Sequence, residues 1–306
     1  MTQHDLVLRP ITGPDELDLF TTLPYVLNAE LANDLAVGRR RPEWLWVALR
    51  GGGLVARAGW WSRPGHAQPE VMDFLDFTDD PGGVDDAVRL VEAALPTVVP
   101  DGTPPEFTRF LPPDWRADAE SVNRRIAALE RLGAGLFVER LRLQWDPGTA
   151  IPPLTGRLAI RPVRDPDELI TLMTLVLDGT LDAHSRDDLT ALTPVEAARA
   201  QYHDELKQYP GSHDWWRVAT LHSGEPVGFV LPSHNGYNHI IAYIGVVPAH
   251  RGHGHIHDLL ATGTAILAAQ DAPRVRAATD VGNTPMAAAF AHAGYAVFQR
   301  QIDLRW

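Results

Sequence analysis

The chain predicts a mixed α/β protein, α+β in each half, made of two tandem copies of one domain. Its 306 residues suit two domains of ordinary size. The halves match one another in ordered blocks. Within each half, short apolar runs fit for strands alternate with segments of helical period.

The repeat is read directly from the residues. Leu8-Arg9-Pro10 with Pro14-Asp15-Glu16-Leu17 matches Ile160-Arg161-Pro162 with Pro166-Asp167-Glu168-Leu169. Val47-Ala48 and then Gly59 match Val218-Ala219 and then Gly228. Gly133, Phe137, Leu141, Leu143 and Trp145 match Gly294, Phe298, Ile302, Leu304 and Trp306. Between the copies, Asp146-Pro147-Gly148-Thr149-Ala150-Ile151-Pro152-Pro153 is a run of breakers suited to a linker. Domains are therefore expected over residues 1–148 and 149–306.

The second half is the more legible. A strand over Leu158 to Val163 precedes a helix that starts after Asp165-Pro166. Thr193 to Tyr209 reads as an irregular helical stretch. Trp216 to Leu221 and Val227 to Leu231 flank the turn Ser223-Gly224-Glu225-Pro226, a hairpin signal. His239 to Val247 is nearly all apolar, as expected of a central strand buried on both faces. The next helix carries Ile256, Leu259, Leu260, Ile266 and Leu267 on one side. In the last strand Phe298, Arg300, Ile302, Leu304 and Trp306 share a face.

Composition bounds the function. Hydrophobic residues are 45% and charged residues 22%, enough for each half to bury a core. A net charge of −12 leaves no basic stripe for nucleic acid. It mildly favours a cationic small molecule, and plain solubility explains it more readily. With no cysteine there is no disulfide, thiolate metal ligand or thiol nucleophile. No apolar run approaches the roughly 18 residues of a membrane span. The polar opening Met1-Thr2-Gln3-His4-Asp5 is unlike a signal peptide, so a cytoplasmic enzyme is expected.

The chemistry is concentrated in Gly245-Val246-Val247-Pro248-Ala249-His250-Arg251-Gly252-His253-Gly254-His255-Ile256. A strand stops at a proline, a glycine-rich turn follows, and a helix begins. Glycines let backbone amides approach a ligand, and the amides at a helix start are unpaired donors, which suits a pyrophosphate. Arg251 adds a cationic fork. A second block, Thr279-Asp280-Val281-Gly282-Asn283-Thr284-Pro285-Met286 with Phe290 and Ala293-Gly294-Tyr295, reads as a helix capped by Asn283, opened by Pro285 and ended by Gly294.

These blocks resemble the GCN5-related N-acetyltransferase (GNAT) family, whose acyl-CoA loop reads Gln/Arg-x-x-Gly-x-Gly/Ala after a strand ending in Val-x-Pro. Arg251 and Gly254 match, while Ile256 departs from the small residue of the pattern. With Ile160-Arg161-Pro162 the resemblance covers essentially the whole second half. The wording Asn-x-x-Met and the tandem layout are most similar to the mycothiol-synthase-like branch. The resemblance implies two GNAT-type domains, each a mainly antiparallel mixed sheet with helices on both faces. It implies acetyl-CoA as cosubstrate, held by Ile244, Val246, Val247, Arg251, Gly252, His253, Gly254, His255, Ile256, Asn283, Met286 and Phe290. The corresponding turn of the first half, Thr78 to Asp86, lacks an arginine and carries four aspartates, which would repel a pyrophosphate. That half is expected to serve as scaffold or pocket wall.

The implied reaction is direct acetyl transfer in a ternary complex to a primary amine of a small molecule. Many relatives place a tyrosine acid where this chain has Phe290, so Tyr243 and, less suitably, Tyr295 are the nearest candidates. His239 is the candidate base, with His234 in the preceding loop. Asp182 and His184 lie in the region that shapes the acceptor pocket in relatives. A histidine at any such place is more often structural than catalytic. The competing readings are a non-catalytic acyl-CoA-binding or interaction protein on the same fold, and an O-acetyltransferase.

Other features have plainer readings. His250, His253, His255 and His257 lack a carboxylate at metal-site spacing, so no metal is expected, and partial positive charge toward CoA phosphates suits them better. Trp44, Trp46, Trp60 and Trp61 fit packing better than a ligand pocket, as do Trp145, Trp215, Trp216 and Trp306. Arg39-Arg40-Arg41 reads as solvated loop charge. The acceptor's identity, the acyl chain preferred and the oligomeric state are not written in the sequence.

Overall fold

The computed structural model describes residues 6–100 and 102–306; the polar opening Met1 to Asp5 lies outside them. Contacts divide the chain into two compact units, Met1–Glu139 with Gln301–Trp306, and Arg140–Arg300. These parting points differ from the break at 148 suggested by the Pro/Gly run.

The first unit runs β1 (Leu6–Pro10), α1 (Leu17–Phe20), α2 (Leu31–Ala36), β2 (Leu45–Arg50), β3 (Gly53–Trp61), β4 (Val71–Phe77), α3 (Gly83–Val98), β5 (Phe107–Leu111) and α4 (Glu120–Arg131). The strand β6 (Gly135–Trp145) then carries the chain into the second unit, which continues with β7 (Ala159–Pro162), α5 (Pro166–Val176), α6 (Ala183–Ala191), α7 (Pro194–Ala200), β8 (Arg217–Thr220), β9 (Pro226–His234), β10 (His239–Val246), α8 (His255–Ala268), β11 (Val275–Asp280), α9 (Thr284–His292) and β12 (Ala296–Arg305).

The sheet order in the first unit is β1-β2-β3-β4-β5, completed by the end of β12. Thr108 donates to Asp303 at 2.7 Å, and Arg305 pairs with Glu106 at 2.5 Å. In the second unit the order is β6-β11-β10-β9-β8-β7. Antiparallel pairing dominates both, and the parallel pairs are β4–β5 and β10–β11. Apolar residues gather on both faces of each sheet. Val88, Leu90 and Val91 of α3 and Leu129 of α4 bury one face of the first, and Phe20, Leu31 and Phe74 line the other. In the second, Leu259, Leu260 and Phe290 lie under α8 and α9, while Leu169, Met173 and Phe229 lie under α5.

Local sequence explains several ends. Asp165 accepts the Glu168 amide at 2.8 Å and Pro166 opens α5. Thr193 and Glu196 form a reciprocal capping box at α7. The irregular stretch after α7 is one wide π turn, Gln201–Glu205, and then a 3-10 turn. The repeat has a physical core: Arg9 pairs with Glu16 at 2.7 Å, and Arg161 pairs with Glu168 at 2.6 Å, each bridging strand to helix.

Three expectations are corrected. The strand β10 is not buried on both faces; only Ile241 and Gly245 are buried within it. It pairs with β11 at His239 and Ile240 alone and then parts from it. In β12 Ile302, Leu304 and Trp306 join one apolar cluster, and Asp303 between them is fully buried too, held by Thr108 and Gln301. Gly59 is not the counterpart of Gly228: Ala48 pairs with Ala56, and Ala219 pairs with Gly228, so Ala56 stands in that place. Finally, Arg40 is not a solvated loop charge. It is 2% exposed and donates twice to Asp73, at 2.7 and 2.6 Å, and once to Asp34 at 3.2 Å. The tryptophans pack: Trp44, Trp46, Trp60, Trp145 and Trp216 are buried.

Candidate active site

The site grows out of β10. Ile241 faces Pro232 and Tyr243 faces Leu231, so Ala242 is an extra residue, a bulge. A bulge resets which side chains point to which face. Ile241 packs with the α8–α9 cluster, and Tyr243 packs with Phe229 on the α5 side, ring centroids 5.1 Å apart. His239, two residues before Ile241, shares Ile241's face, beside Trp215 and His234. The structure therefore does not bring His239 to Tyr243; the two candidates stand on opposite faces of one strand.

Beyond the bulge, Ile244 and Val246 are half-buried on the α8 side and Val247 is buried against the α5 cluster. Gly245 suits a close approach: a Cβ there would meet the Val176 side chain at 3.0 Å. The loop then closes through His250 and Arg251 amides donating to Val247 and Pro248 carbonyls. Gly252 and Gly254 take left-handed φ values of 79° and 75°. Among the described residues, no backbone carbonyl takes the amides of residues 252–256, and nothing lies within 4 Å of a Cβ built on Gly252. His253 and Gly252 are exposed, Gly254 and Ile256 half-buried, and His255, at the start of α8, buried.

Arg251 is used otherwise than its charge suggests. Its guanidinium donates to the carbonyls of Val176 (2.8 Å), Asp178 (2.6 Å) and Val246 (3.1 Å). It ties the loop to the C-terminal end of α5, where unpaired carbonyls favour a cation. The fork expected for phosphate is occupied by backbone oxygens. His255 and His257 are held below the ordinary imidazole pKa, by burial first and then by neighbouring positive groups, Arg157 and other histidines. The Nδ1 atoms of both are buried without a hydrogen bond.

On α9, Asn283 accepts the Met286 amide at 3.3 Å and caps the helix. Met286 is half-buried; Phe290 is 2% exposed and packs edge-on against Tyr295. The Tyr295 hydroxyl is spent on Thr264 at 2.7 Å. Burial raises the Tyr243 phenol well above its ordinary value, and the charges of Asp182 and Glu205 push it further.

Asp182 caps α6 by accepting the Ser185 amide at 2.8 Å, with His184 half-buried in the first turn. Burial opposes its ionisation, but Arg140 and Ser185 outweigh that and hold the carboxyl below the usual range. Two residues not singled out in the sequence complete this corner. Arg140 lies 3.7 Å from Asp182 and 3.1 Å from Asp280. Asp280 is 3% exposed, accepts the Ala183 amide at 2.6 Å, and is raised by burial and by the Asp182 charge. An aspartate closing a strand three residues before a capping asparagine was a visible signal; nothing local marks Arg140.

A split strand pair, a bulge and an amide-rich loop opening a helix recur together in a known family. Residues 182–295 match the family model described as Acetyltransferase (GNAT) family. The second unit carries a GNAT domain. Acyl transfer is the chemistry of that family. A GCN5-related N-acetyltransferase from Sphaerobacter thermophilus is 14% identical, with a TM-score of 0.59 over 98% of this chain and 95% of that one. A tandem GNAT protein from the clavulanic acid biosynthesis pathway is 17% identical, with a TM-score of 0.54 over 98% of each chain. The glucosamine N-acetyltransferase region of a fungal multi-domain β-N-acetylglucosaminidase is 14% identical, at 0.57, over 99% of this chain and 38% of that one. At such identities the likeness is one of fold. No curated protein matches the sequence. Among the described residues no helix is long and apolar enough to cross a membrane.

Proposed function

We propose that the second unit transfers an acetyl group from acetyl-CoA to a primary amine of a small molecule, directly and in a ternary complex. The observation that carries this is the parting of β10 from β11 just above a loop with uncommitted amides. A CoA pyrophosphate suits the amides of residues 252–256 and the partial charge of the α8 N-terminus. Asn283 and Met286 on α9 would flank the pantetheine arm, with Phe290 as packing beneath them. Backbone amides in the stretch of Ile244, Val246 and Val247 would meet the thioester oxygen, where charge develops.

The amine nitrogen forms its bond to the acetyl carbon and the carbon–sulfur bond breaks. Tyr243, kept protonated at neutral pH, gives its proton to the leaving sulfur, and the proton shed by the amine restores the phenol through solvent. Tyr243 thus takes the role that Phe290 cannot. The first unit, in this reading, holds no CoA.

Calorimetric titration with acetyl-CoA tests the reading. One site per chain is expected, weakened roughly tenfold or more in Gly254→Val, whose backbone would be forced from its left-handed conformation. Two sites, or none, would overturn it. Binding without turnover of any amine would instead favour an acyl-CoA-binding protein.

A further inference from the structure

The corner beside Tyr243 holds two carboxylates and, among the described residues, one arginine. Arg140 lies 3.7 Å from Asp182 and 3.1 Å from Asp280, and the His184 imidazole adds to the favourable field of both only when it is protonated. Asp280 is deeply buried, and its Oδ1 makes no hydrogen bond despite its nearness to the guanidinium. Its other oxygen is committed to the Ala183 amide. Asp182 has one oxygen committed to its helix cap, and its side chain remains 33% exposed. Two carboxylates are thus bridged by one guanidinium within electrostatic reach of Tyr243, and the more open of them is Asp182. A buried carboxylate oxygen that has an ion-pair neighbour but no hydrogen bond is under-satisfied, and a further cation close by offsets that cost.

We infer that Asp182 and Asp280 form a cation subsite that selects an acceptor with a second ammonium group, a small diamine or other polycationic amine, beyond the amine that is acetylated. The inference rests on the acetyltransferase reading and deepens it. Such an acceptor presents one end at Tyr243 as a free amine and is held at the other end as an ammonium by Asp182, with Asp280 behind it. The negative net charge of the chain favours the encounter. Arg140 holds the two carboxylates together.

The experiment compares two acceptors of equal length on the full chain, 1,4-diaminobutane and 4-amino-1-butanol, with acetyl-CoA saturating. In wild type kcat/KM for the diamine is expected to exceed that for the amino alcohol by about tenfold or more, the size of one charge-assisted contact. In Asp182→Asn and in Asp280→Asn that ratio falls toward unity, carried mainly by KM. Both substitutions keep the oxygen that accepts a backbone amide, so α6 retains its cap. A wild-type ratio near one, or a ratio that survives both substitutions, overturns the subsite. If acetyl-CoA binds but neither amine is turned over, the transfer reading fails. Calorimetry of 1,4-diaminobutane with the CoA-loaded protein then still decides the subsite: binding lost in Asp182→Asn supports it, and no binding in wild type overturns it.

Discussion

The bulge of β4 and the bulge of β10 hold the same place in the two units, at Asp73 and at Ala242, and what surrounds them is opposite in kind. In the first unit Arg40 fills the space over Asp73 with a two-pronged ion pair. Three residues on, Asp76 stands where the second unit has Gly245, and Arg57, Arg109 and Arg125 all converge on it, at 2.8, 2.8 and 3.0 Å. Arg109 reaches it from β5, so the gap between β4 and β5, which pair at Met72 and Phe107 alone, is stitched shut by charge. Six of seven residues of β4 are buried, against two of eight in β10. The turns differ likewise. Asp80 takes the Gly82 amide, and Asp86 in the first turn of α3 pairs with Arg50. One duplicated fold has kept its split open and uncommitted; the other has filled it with side chains that form ion pairs with one another.

The largest effect should come from breaking that lock. Asp76→Ala strands three guanidinium groups in the interior and should cost about 3–5 kcal/mol in denaturant unfolding. It should leave acetyl-CoA stoichiometry at one; a second site appearing would mean that the lock alone hides one. Glycines sharpen the contrast next. A Cβ on Gly83 would lie 2.2 Å from the Thr78 carbonyl, so Gly83→Ala should cost about 1–3 kcal/mol of stability. Gly252→Ala meets open space and costs only left-handed strain, about 1–2 kcal/mol, yet it should weaken acetyl-CoA binding, which Gly83→Ala should not. The opposite pattern in calorimetry would reverse the assignment of the two loops.

A smaller effect concerns protons. His255 and His257 sit below the ordinary imidazole pKa and are neutral at pH 7. Phosphate nearby favours their charged forms, so binding takes up protons and the Kd for CoA should fall by a few-fold, roughly two to five, between pH 8 and 6. A Kd independent of pH would show that these imidazoles do not face the phosphates. The smallest effect is shared by both units. Glu16 and Glu168 are both lowered to about 2 by their arginine partners first. A carboxyl depressed on folding stabilises fully above its ordinary value near 4.5 and loses that stabilisation progressively as pH falls from there through about 2. Glu16→Gln and Glu168→Gln should each cost about 0.5–1 kcal/mol at neutral pH, and the cost should shrink as pH falls from the ordinary carboxyl range and vanish only below about pH 2.

Much of this fold was legible because it is written in local chemistry. The Arg-Pro and Pro-Asp-Glu-Leu blocks are repeated since each builds the same strand-to-helix clasp. The turn from Val247 to Gly254 declares itself through glycines that need left-handed backbone. Asn283, Pro285 and Gly294 bracket α9 by capping chemistry alone. What was not legible depends on register and on distance. An extra residue such as Ala242 leaves no mark in an apolar run, yet it turns Tyr243 away from His239. The Gly59 to Gly228 match failed for the same reason. Arg40 looked like loop charge because its partner, Asp73, lies on another strand. Arg251 matched its motif by type, but its reach to the carbonyls after α5 is set by tertiary packing. Arg140 and Asp280 meet across a strand pair that no sequence window spans.

The residues that complete the first unit come from the far end of the chain: Gln301–Trp306, with Trp306 donating to the Leu132 carbonyl at 3.0 Å. On the ribosome those residues emerge after the whole of the second unit. The first unit must therefore wait, with the outer edge of β5 unpaired, while the later one is made. Birth order and finishing order are reversed: the half synthesised first is the half closed last. A nascent chain halted before residue 301 exposes a strand edge that invites pairing with any neighbour.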